Sequence, residues 1–261
     1  MGIMIPCEGN SIPARIYTPD TGKDSYPVIV YYHGGGWVIA GIDAYNASTE
    51  ALAQKTEAIV VSVGYRQAPE FKFPTAHNDS YAAYEWVLKN ADTFKGDSAR
   101  IAVVGESAGG NLAATVSLTA KQRNVRLPLH QALIYPLADN DFTTPSYLEH
   151  QNSLFLNSPL MMWFFNHYLN NPEEGDDPRI SLVDADLGGM PPTTIIGAEI
   201  DPLRSEGQLL AQNLEAAGVA TTYQLYTGVA HEFFGMSAIL AEAEQAQALV
   251  ARELKKAFGT E

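Results

Sequence analysis

Short apolar runs rich in β-branched residues recur along the chain, and most are apolar throughout rather than alternating with polar residues. A strand that is buried on both faces of a parallel sheet has this pattern. The opening segment, residues 3–19, differs because it contains two short runs around a Glu-Gly-Asn turn, which predicts an antiparallel pair at one edge. The sequence thus predicts a sheet of about eight strands. The six that follow the opening pair are predicted at 27–32, 58–63, 101–105, 132–136, 193–198 and 221–226.

Helical patterns lie between these strands, and the C-terminal segment has an apolar stripe of helical period from Ile239 to Phe258. Alternating strands and helices favour an α/β fold with a mostly parallel sheet and helices on both faces. No repeat or linker divides the chain, so we expect residues 1–261 to form a single domain. The other predicted helices lie at 44–56, 79–90 and 108–122.

Residues 137–192 interrupt this alternation because they contain no convincing strand. A bulky aromatic stretch at 158–171, with a proline in its first turn, predicts a helix there. The whole segment has two interpretations: a large connection packed on the sheet, or a partial cap over a pocket at the strand ends. The sequence favours neither, and the two are compatible.

The balance of acidic and basic residues limits the kinds of molecule that the protein is expected to bind. Sixteen basic and thirty acidic side chains give a formal net charge of −14, which disfavours binding to nucleic acid or to an anionic membrane. The single cysteine, Cys7, excludes an internal disulfide framework and predicts no metal cluster. Neither a leader pattern nor an apolar run of membrane-spanning length is evident, so we expect a cytoplasmic protein.

The strongest motif is VVGESAGGN at 103–111, which places Gly-Glu-Ser-Ala-Gly between a predicted strand and a predicted helix. A G-x-S-x-G nucleophile elbow requires this context. The sharp turn projects the serine hydroxyl above the sheet, and the helix N-terminus behind it favours developing negative charge. Ser107 is therefore the candidate nucleophile.

A serine hydroxyl needs a base to take its proton and an acid to orient that base. In α/β hydrolases the acid and then the histidine follow the serine, on loops after later strands. His231 is the one histidine that lies downstream of every candidate acid. Asp201 directly follows the strand predicted at 193–198 and is favoured over Glu199, although an aspartate there also suits a helix N-cap.

Three consecutive glycines follow a predicted strand in the stretch VIVYYHGGGWVIAG, residues 28–41. Because glycine is costly to order on folding, this run indicates a backbone that must approach something closely. The loop stands at the carboxyl end of its strand, where the sites of α/β proteins form. We expect His33 and Trp37 to hold the loop in place rather than to react.

Five stretches, in order from about residue 12 to the end, resemble the hormone-sensitive-lipase family of carboxylesterases, the bacterial family IV. The resemblance implies an α/β-hydrolase fold and a serine esterase that cleaves short- to medium-chain acyl esters through an acyl-enzyme, without a metal or cofactor. The stretches are HGGGW (33–37), YRQAPEFKFPTA (65–76), GESAGGN (105–111), MPPTTIIGAEIDPLRSEG (190–207) and GVAHEFF (228–234).

The resemblance also assigns roles to residues of this chain. It implies a catalytic triad of Ser107, Asp201 and His231, in agreement with the choice made from the motifs. It further implies an oxyanion hole, in which backbone N–H groups bind the negative oxygen of the tetrahedral intermediate. Those N–H groups belong to Gly34, Gly35 and Ala108.

Several positions depart from the family pattern. Glu106 stands where an aspartate is usual, and Ser205 replaces a common acid. Glu232 stands where glycine is frequent; it would either raise the pKa of His231 or point to solvent, and we expect solvent. The chain begins close to its edge strands, which predicts a cap reduced to residues 137–192 and an open pocket. That pocket is expected to be lined partly by Leu154, Phe155, Met161, Phe164 and Phe165.

Other functions use a similar scaffold. An arylformamidase or amidase would employ the same triad, and the sequence discriminates poorly between ester and amide substrates. A non-catalytic small-molecule receptor of this shape lacks the catalytic histidine, whereas His231 is present here. Dimers are frequent in families of this shape, so a homodimer through a sheet edge or the late helices is an expectation.

Overall fold

The computed structural model describes residues 1–261, and its centre is one eight-stranded sheet. The strand order is β1-β2-β4-β3-β5-β6-β7-β8. β1 pairs with β2 and β2 with β4 in antiparallel register, and every other neighbouring pair is parallel. The strands are β1 (Gly2–Cys7), β2 (Asn10–Tyr17), β3 (Tyr26–Tyr32), β4 (Ile59–Val63), β5 (Gly96–Glu106), β6 (Gln131–Ile134), β7 (Thr193–Ile200) and β8 (Thr221–Ala230).

Seven α-helices cover the two faces of this sheet, so the predicted fold class is confirmed. None of them combines the length and the apolar character that crossing a membrane requires. The helices are α1 (Asn46–Thr56), α2 (Thr75–Asn90), α3 (Ala108–Gln122), α4 (Pro145–Glu149), α5 (Ser158–Tyr168), α6 (Arg204–Ala216) and α7 (Ala241–Phe258).

Strand β3 shows why the internal strands read as continuous apolar runs. Its side chains alternate between two separate cores: Val28 and Val30 belong to the larger one, and Ile29 and Tyr31 to the smaller one. Helices α2, α3, α5 and α6 bury side chains in the larger core, whereas α1 and α7 bury theirs in the smaller core. Both faces of the strand are therefore dry, as a parallel sheet requires.

Element boundaries differ from the predictions by a few residues. The strand predicted to run to Pro136 ends at Ile134, because Tyr135 adopts a positive φ of 35°. The aromatic helix begins at Ser158 as predicted but ends at Tyr168, since Leu169 is extended. Strand β5 begins earlier than its apolar core, at Gly96.

Residues 137–192 contain no strand and contribute to the larger core from one side of the sheet. Helices α4 and α5 lie in this segment, followed by two short 3-10 turns at Pro172–Asp176 and Leu182–Asp184. The segment begins just beyond β6, at the carboxyl edge of the parallel strands. It is thus placed beside the loops that follow β3, β5, β7 and β8.

Candidate active site

Ser107 occupies the tight turn between β5 and α3, with φ of 56° and ψ of −122°. A non-glycine residue rarely adopts this conformation, which costs on the order of 1–3 kcal/mol. The turn fits because its neighbours lack side chains: a Cβ on Gly105 would lie 1.9 Å from the carbonyl oxygen of Gly109. A Cβ on Gly109 would lie 2.0 Å from the carbonyl oxygen of Tyr32. The G-x-S-x-G spacing is thus required by packing.

His231 and Asp201 meet Ser107 from two other strand ends. Asp201 directly follows β7, and His231 directly follows β8. Nε2 of His231 lies 2.9 Å from Oγ of Ser107, and Nδ1 lies 2.7 Å from Oδ2 of Asp201. A carboxylate only accepts hydrogen bonds, so Nδ1 carries the proton and Nε2 is free to accept one from the serine. All three side chains are buried.

A hydrogen bond to its second oxygen also holds the carboxylate of Asp201 in place. The backbone N–H of Leu203 donates to Oδ1 at 2.9 Å, so the aspartate caps the turn before α6 while it faces the histidine. Asp201 thus makes both of the contacts expected from the sequence, one that caps the turn and one to the imidazole of His231. The rival acid Glu199 lies within β7 and accepts a hydrogen bond from the N–H of Gly228 at 2.6 Å, which braces the start of the His231 loop.

The charge around His231 favours its protonated form. Burial alone lowers the pKa of this imidazole, but the charges of Asp201, Glu232 and Glu106 together with the Asp201 hydrogen bond raise the pKa above its ordinary value. Such a shift is typical of a general base, which must hold a proton during the reaction and then release it.

The glycine loop approaches Ser107 from the end of β3. Gly35 has a φ of 102°, and a Cβ there would lie 2.2 Å from the carbonyl oxygen of Ile39, so no larger residue fits. The N–H groups of Gly34 and Gly35 have no acceptor within the protein. Ala108 is the first residue of α3, and the first N–H groups of a helix have no partner inside it. These three N–H groups are therefore available to an external acceptor, such as a negatively charged oxygen.

His33 and Trp37 hold this loop through buried contacts. Nδ1 of His33 donates to the carbonyl of Gly34 at 2.7 Å, and its ring stacks on Tyr65 with 4.3 Å between centroids. Burial lowers the pKa of His33 to about 4, so the ring is neutral at physiological pH. The indole of Trp37 is fully buried and stacks on Tyr168.

Glu106, which the sequence marks only as a departure from the family pattern, is a buried carboxylate next to Ser107. Glu106 accepts hydrogen bonds from the hydroxyls of Tyr31 and Tyr135, and the Tyr135 ring lies 4.5 Å from that of His231. Burial and the charge of Glu232 raise the pKa of Glu106 to about 7. Tyr31 lies within the apolar run of β3, and a run of this kind carries no sequence signal for a polar contact.

Glu232 does not point to solvent, so that expectation is wrong. The hydroxyl of Tyr45 donates to both carboxylate oxygens, at 2.8 and 2.9 Å, and Oε1 lies 3.7 Å from Nε2 of His231. The residue has a positive φ of 72°, which turns the chain after the histidine, and its side chain faces Tyr45. A third of the side chain remains exposed.

A cavity of about 290 Å³ opens beside Ser107 and His231. Of the five predicted pocket residues, Phe155 and Phe164 line it. The other three do not. Leu154 is 81% exposed, while Met161 and Phe165 are buried in the larger core and do not line the cavity. The lining residues that the prediction omitted are Gly35, Gly36, Ile39, Ala40, Ala44, Tyr45, Leu156, Leu160 and Glu232.

The ring of Phe164 joins the helix α5 to the glycine loop. A Cβ on Gly36 would lie 2.2 Å from this ring, so the aromatic side chain rests directly on the backbone of the loop. Residues 137–192 thereby supply one wall of the cavity.

No group of three or more His, Cys, Asp or Glu residues is placed to hold a metal ion.

Comparison with known proteins gives concordant similarities over most of the chain. A family model described as alpha/beta hydrolase fold matches residues 29–235. An ethyl acetate hydrolase of Pseudomonas putida is 34% identical over 253 residues, which span 95% of this chain and 80% of that protein. Carboxylesterase NlhH of Mycobacterium tuberculosis is 37% identical over 251 residues, 95% of this chain and 79% of its own.

Solved structures are also similar to this chain, over nearly its whole length. A hyperthermophilic esterase of the archaeon Pyrobaculum calidifontis superimposes with a TM-score of 0.95 at 40% identity, covering 98% of this chain and 85% of that one. The thermostable carboxylesterase EstE1, cloned from a metagenomic library, gives 0.95 at 39% identity, covering 99% of this chain and 88% of its own.

Proposed function

Because the chain belongs to the alpha/beta-hydrolase family, within its hormone-sensitive-lipase branch of carboxylesterases, we propose that it hydrolyses short- to medium-chain acyl esters through an acyl-enzyme on Ser107. The observation that carries this proposal is the hydrogen-bonded series from Ser107 through His231 to Asp201. Oγ attacks the ester carbonyl while Nε2 of His231 takes its proton, and Asp201 stabilises the resulting imidazolium.

The negative oxygen of the tetrahedral intermediate is bound by the N–H groups of Gly34, Gly35 and Ala108. Two observations support this assignment: the glycine N–H groups have no acceptor in the protein, and Ala108 opens α3. Loss of one such donor costs about a hundred- to a thousandfold in rate in other serine hydrolases. His231 then passes its proton to the leaving alcohol, and a water molecule activated by the same histidine releases the acid.

The size and lining of the cavity support short substrates. A volume of about 290 Å³ lies at the small end of ligand pockets, and its walls are mostly apolar. The ring of Phe164 bounds it on the side of α5. Residues 137–192 act in this proposal as a partial cap that covers the acyl or alcohol group of the ester.

Hydrolysis of a series of p-nitrophenyl esters, from acetate to palmitate, tests the proposal. We expect kcat/KM to peak among the short and medium chains and to vanish for Ser107→Ala, whose fold is checked by circular dichroism. Retained hydrolysis by a folded Ser107→Ala variant would overturn the role of the serine. p-Nitroacetanilide, assayed in parallel, separates an esterase from an amidase, and faster cleavage of the anilide would favour the amidase.

A further inference from the structure

The catalytic cavity contains a single charged side chain among its walls. Glu232 supplies a carboxylate, no lysine or arginine lines the cavity, and the remaining polar groups are Ser107, His231 and the hydroxyl of Tyr45. Aromatic rings of Phe155 and Phe164 stand in the same lining. An anionic oxygen with aromatic faces in an otherwise apolar cavity is the chemistry that recognises alkylammonium groups.

We propose that this cavity prefers esters of amino alcohols whose nitrogen is cationic, and that Glu232 is the residue that selects them. This inference rests on the proposed esterase function and names a substrate class for the same site. The carboxylate supplies the electrostatic contact, and the rings of Phe155 and Phe164 contact the alkyl groups on the nitrogen.

The position of Glu232 assigns the cation to the alcohol portion rather than the acyl portion. In the proposed reaction Nε2 of His231 protonates the leaving oxygen, so the alcohol must lie beside that nitrogen. Oε1 of Glu232 lies 3.7 Å from the same Nε2. A positive charge two or three bonds beyond the leaving oxygen is therefore within reach of the carboxylate.

The carboxylate is held in this position before any substrate binds. Tyr45 donates to both of its oxygens and is itself buried, packed between β3 and the loop that carries Glu232. One neutral donor leaves most of the lone-pair positions of the carboxylate unused. A fixed anion loses little conformational entropy on binding a cation, which makes it an effective contact.

A pair of isosteric esters measures this preference. Acetylcholine and 3,3-dimethylbutyl acetate have the same shape, and only the first carries a charge. We expect kcat/KM for acetylcholine to exceed that for the carbon analogue by about tenfold, given a cation within several ångströms of one partly exposed carboxylate. A ratio of one or below would overturn the inference.

Two variants test whether Glu232 causes the preference for the cationic ester. Glu232→Gln keeps the shape of the side chain and removes its charge, so the ratio of the two kcat/KM values is expected to fall several-fold, while the contribution of the Phe155 and Phe164 rings remains. Because both esters use the same Ser107 and His231, any change in the histidine cancels in this ratio. Glu215→Gln removes the same charge from an exposed position on α6 and is expected to leave the ratio unchanged. An unchanged ratio in Glu232→Gln would contradict the assignment.

A binding measurement on the unmodified protein covers the case in which Glu232→Gln fails to fold. Choline is expected to inhibit hydrolysis of p-nitrophenyl acetate at lower concentration than 3,3-dimethylbutan-1-ol, and equal inhibition would overturn the inference. Failure of the proposed function gives a different result, since neither acetate ester nor p-nitrophenyl acetate would then be hydrolysed. Hydrolysis of the neutral ester without preference for the cation rejects the selection alone.

Discussion

Nε2 of His231 lies 2.9 Å from Oγ of Ser107, although the two residues are 124 positions apart in the chain. The distance is short because β5 and β8 both end at the same edge of one sheet, and each residue directly follows its strand. Strained backbone at Ser107 and a tight turn at Glu232 aim the two side chains at each other. The hydrogen bond is thus a product of sheet topology and of two local turns.

Asp201→Asn tests the orientation of the histidine. The amide would donate to Nδ1 rather than accept from it, which places the proton on Nε2 and removes its ability to take a proton from Ser107. We expect kcat to fall by about ten-thousandfold, as it does for this change in another serine hydrolase. Steady-state kinetics with p-nitrophenyl acetate measures it.

Glu199→Gln is the matched control for that variant. This glutamate precedes Asp201 by two residues and contacts the N–H of Gly228 rather than the histidine. The amide oxygen of glutamine still accepts that hydrogen bond, so we expect a change in kcat of less than about tenfold. Equal losses in the two variants would contradict the choice of Asp201 as the acid.

The contact between Gly36 and the Phe164 ring predicts that mutations of these two residues have coupled effects on kcat/KM. Gly36→Ala places a methyl group against the Phe164 ring, at a residue whose φ of 59° also disfavours a side chain, so we expect the loop to shift and kcat/KM for acetate esters to fall at least tenfold. Phe164→Leu removes part of the ring, and the double variant is expected to recover several-fold in kcat/KM over Gly36→Ala alone. Additive losses in the double-mutant cycle would show that the contact does not position the loop.

Glu232 predicts a shift in the pH dependence of kcat/KM. Acylation requires neutral His231, so activity rises as pH increases through the pKa of this imidazole. The charges of Asp201, Glu232 and Glu106 all raise that pKa. Glu232→Gln removes one of them, and we expect the acidic limb of the profile to move to lower pH. Glu215→Gln should leave the limb in place, and a shift to higher pH in Glu232→Gln would contradict the account.

His130, which lies just before β6 at the opposite edge of the sheet from Ser107, predicts that the fold is sensitive to acid. Burial lowers its pKa to about 4, and its Nε2 hydrogen-bonds to the hydroxyl of Thr194 at 2.9 Å. Below the ordinary histidine pKa the unfolded chain binds a proton that the folded chain excludes, so stability falls as pH falls from about 6.5 toward 4. His130→Gln should reduce the loss between pH 7 and 5 by about 2 kcal/mol in urea unfolding. An identical loss in the variant would contradict this assignment.

Much of the fold could be predicted from the sequence because buried parallel strands leave a strong signal. The apolar runs marked all six strands from β3 to β8, and the Glu-Gly-Asn turn marked the pair β1 and β2. Helix α3 has its predicted bounds, Ala108–Gln122. Strand ends could not be predicted as closely: the apolar run of β6 continues through Tyr135, but the strand ends at Ile134 because Tyr135 has a positive φ of 35°.

The parts of the site that could not be predicted depend on tertiary contacts. Glu106 reads as a conservative replacement, and only the fold shows that two tyrosines from other strands satisfy its carboxylate. From the sequence Glu232 is expected at the surface, and only the fold shows that Tyr45, 187 positions away, donates to its carboxylate. Met161 and Phe164 are three residues apart on α5 and both pack in the larger core, yet only Phe164 also lines the cavity, a difference that spacing alone could not predict.

The central claim is that Ser107 forms a covalent intermediate, and a phosphorylating inhibitor tests it most directly. Diethyl p-nitrophenyl phosphate should release one p-nitrophenolate per chain, and mass spectrometry of the digested protein should place the diethylphosphoryl group on the peptide containing Ser107. Ser107→Ala should release none and carry no adduct. Stoichiometric labelling of another residue, or of a folded Ser107→Ala variant, would contradict the account.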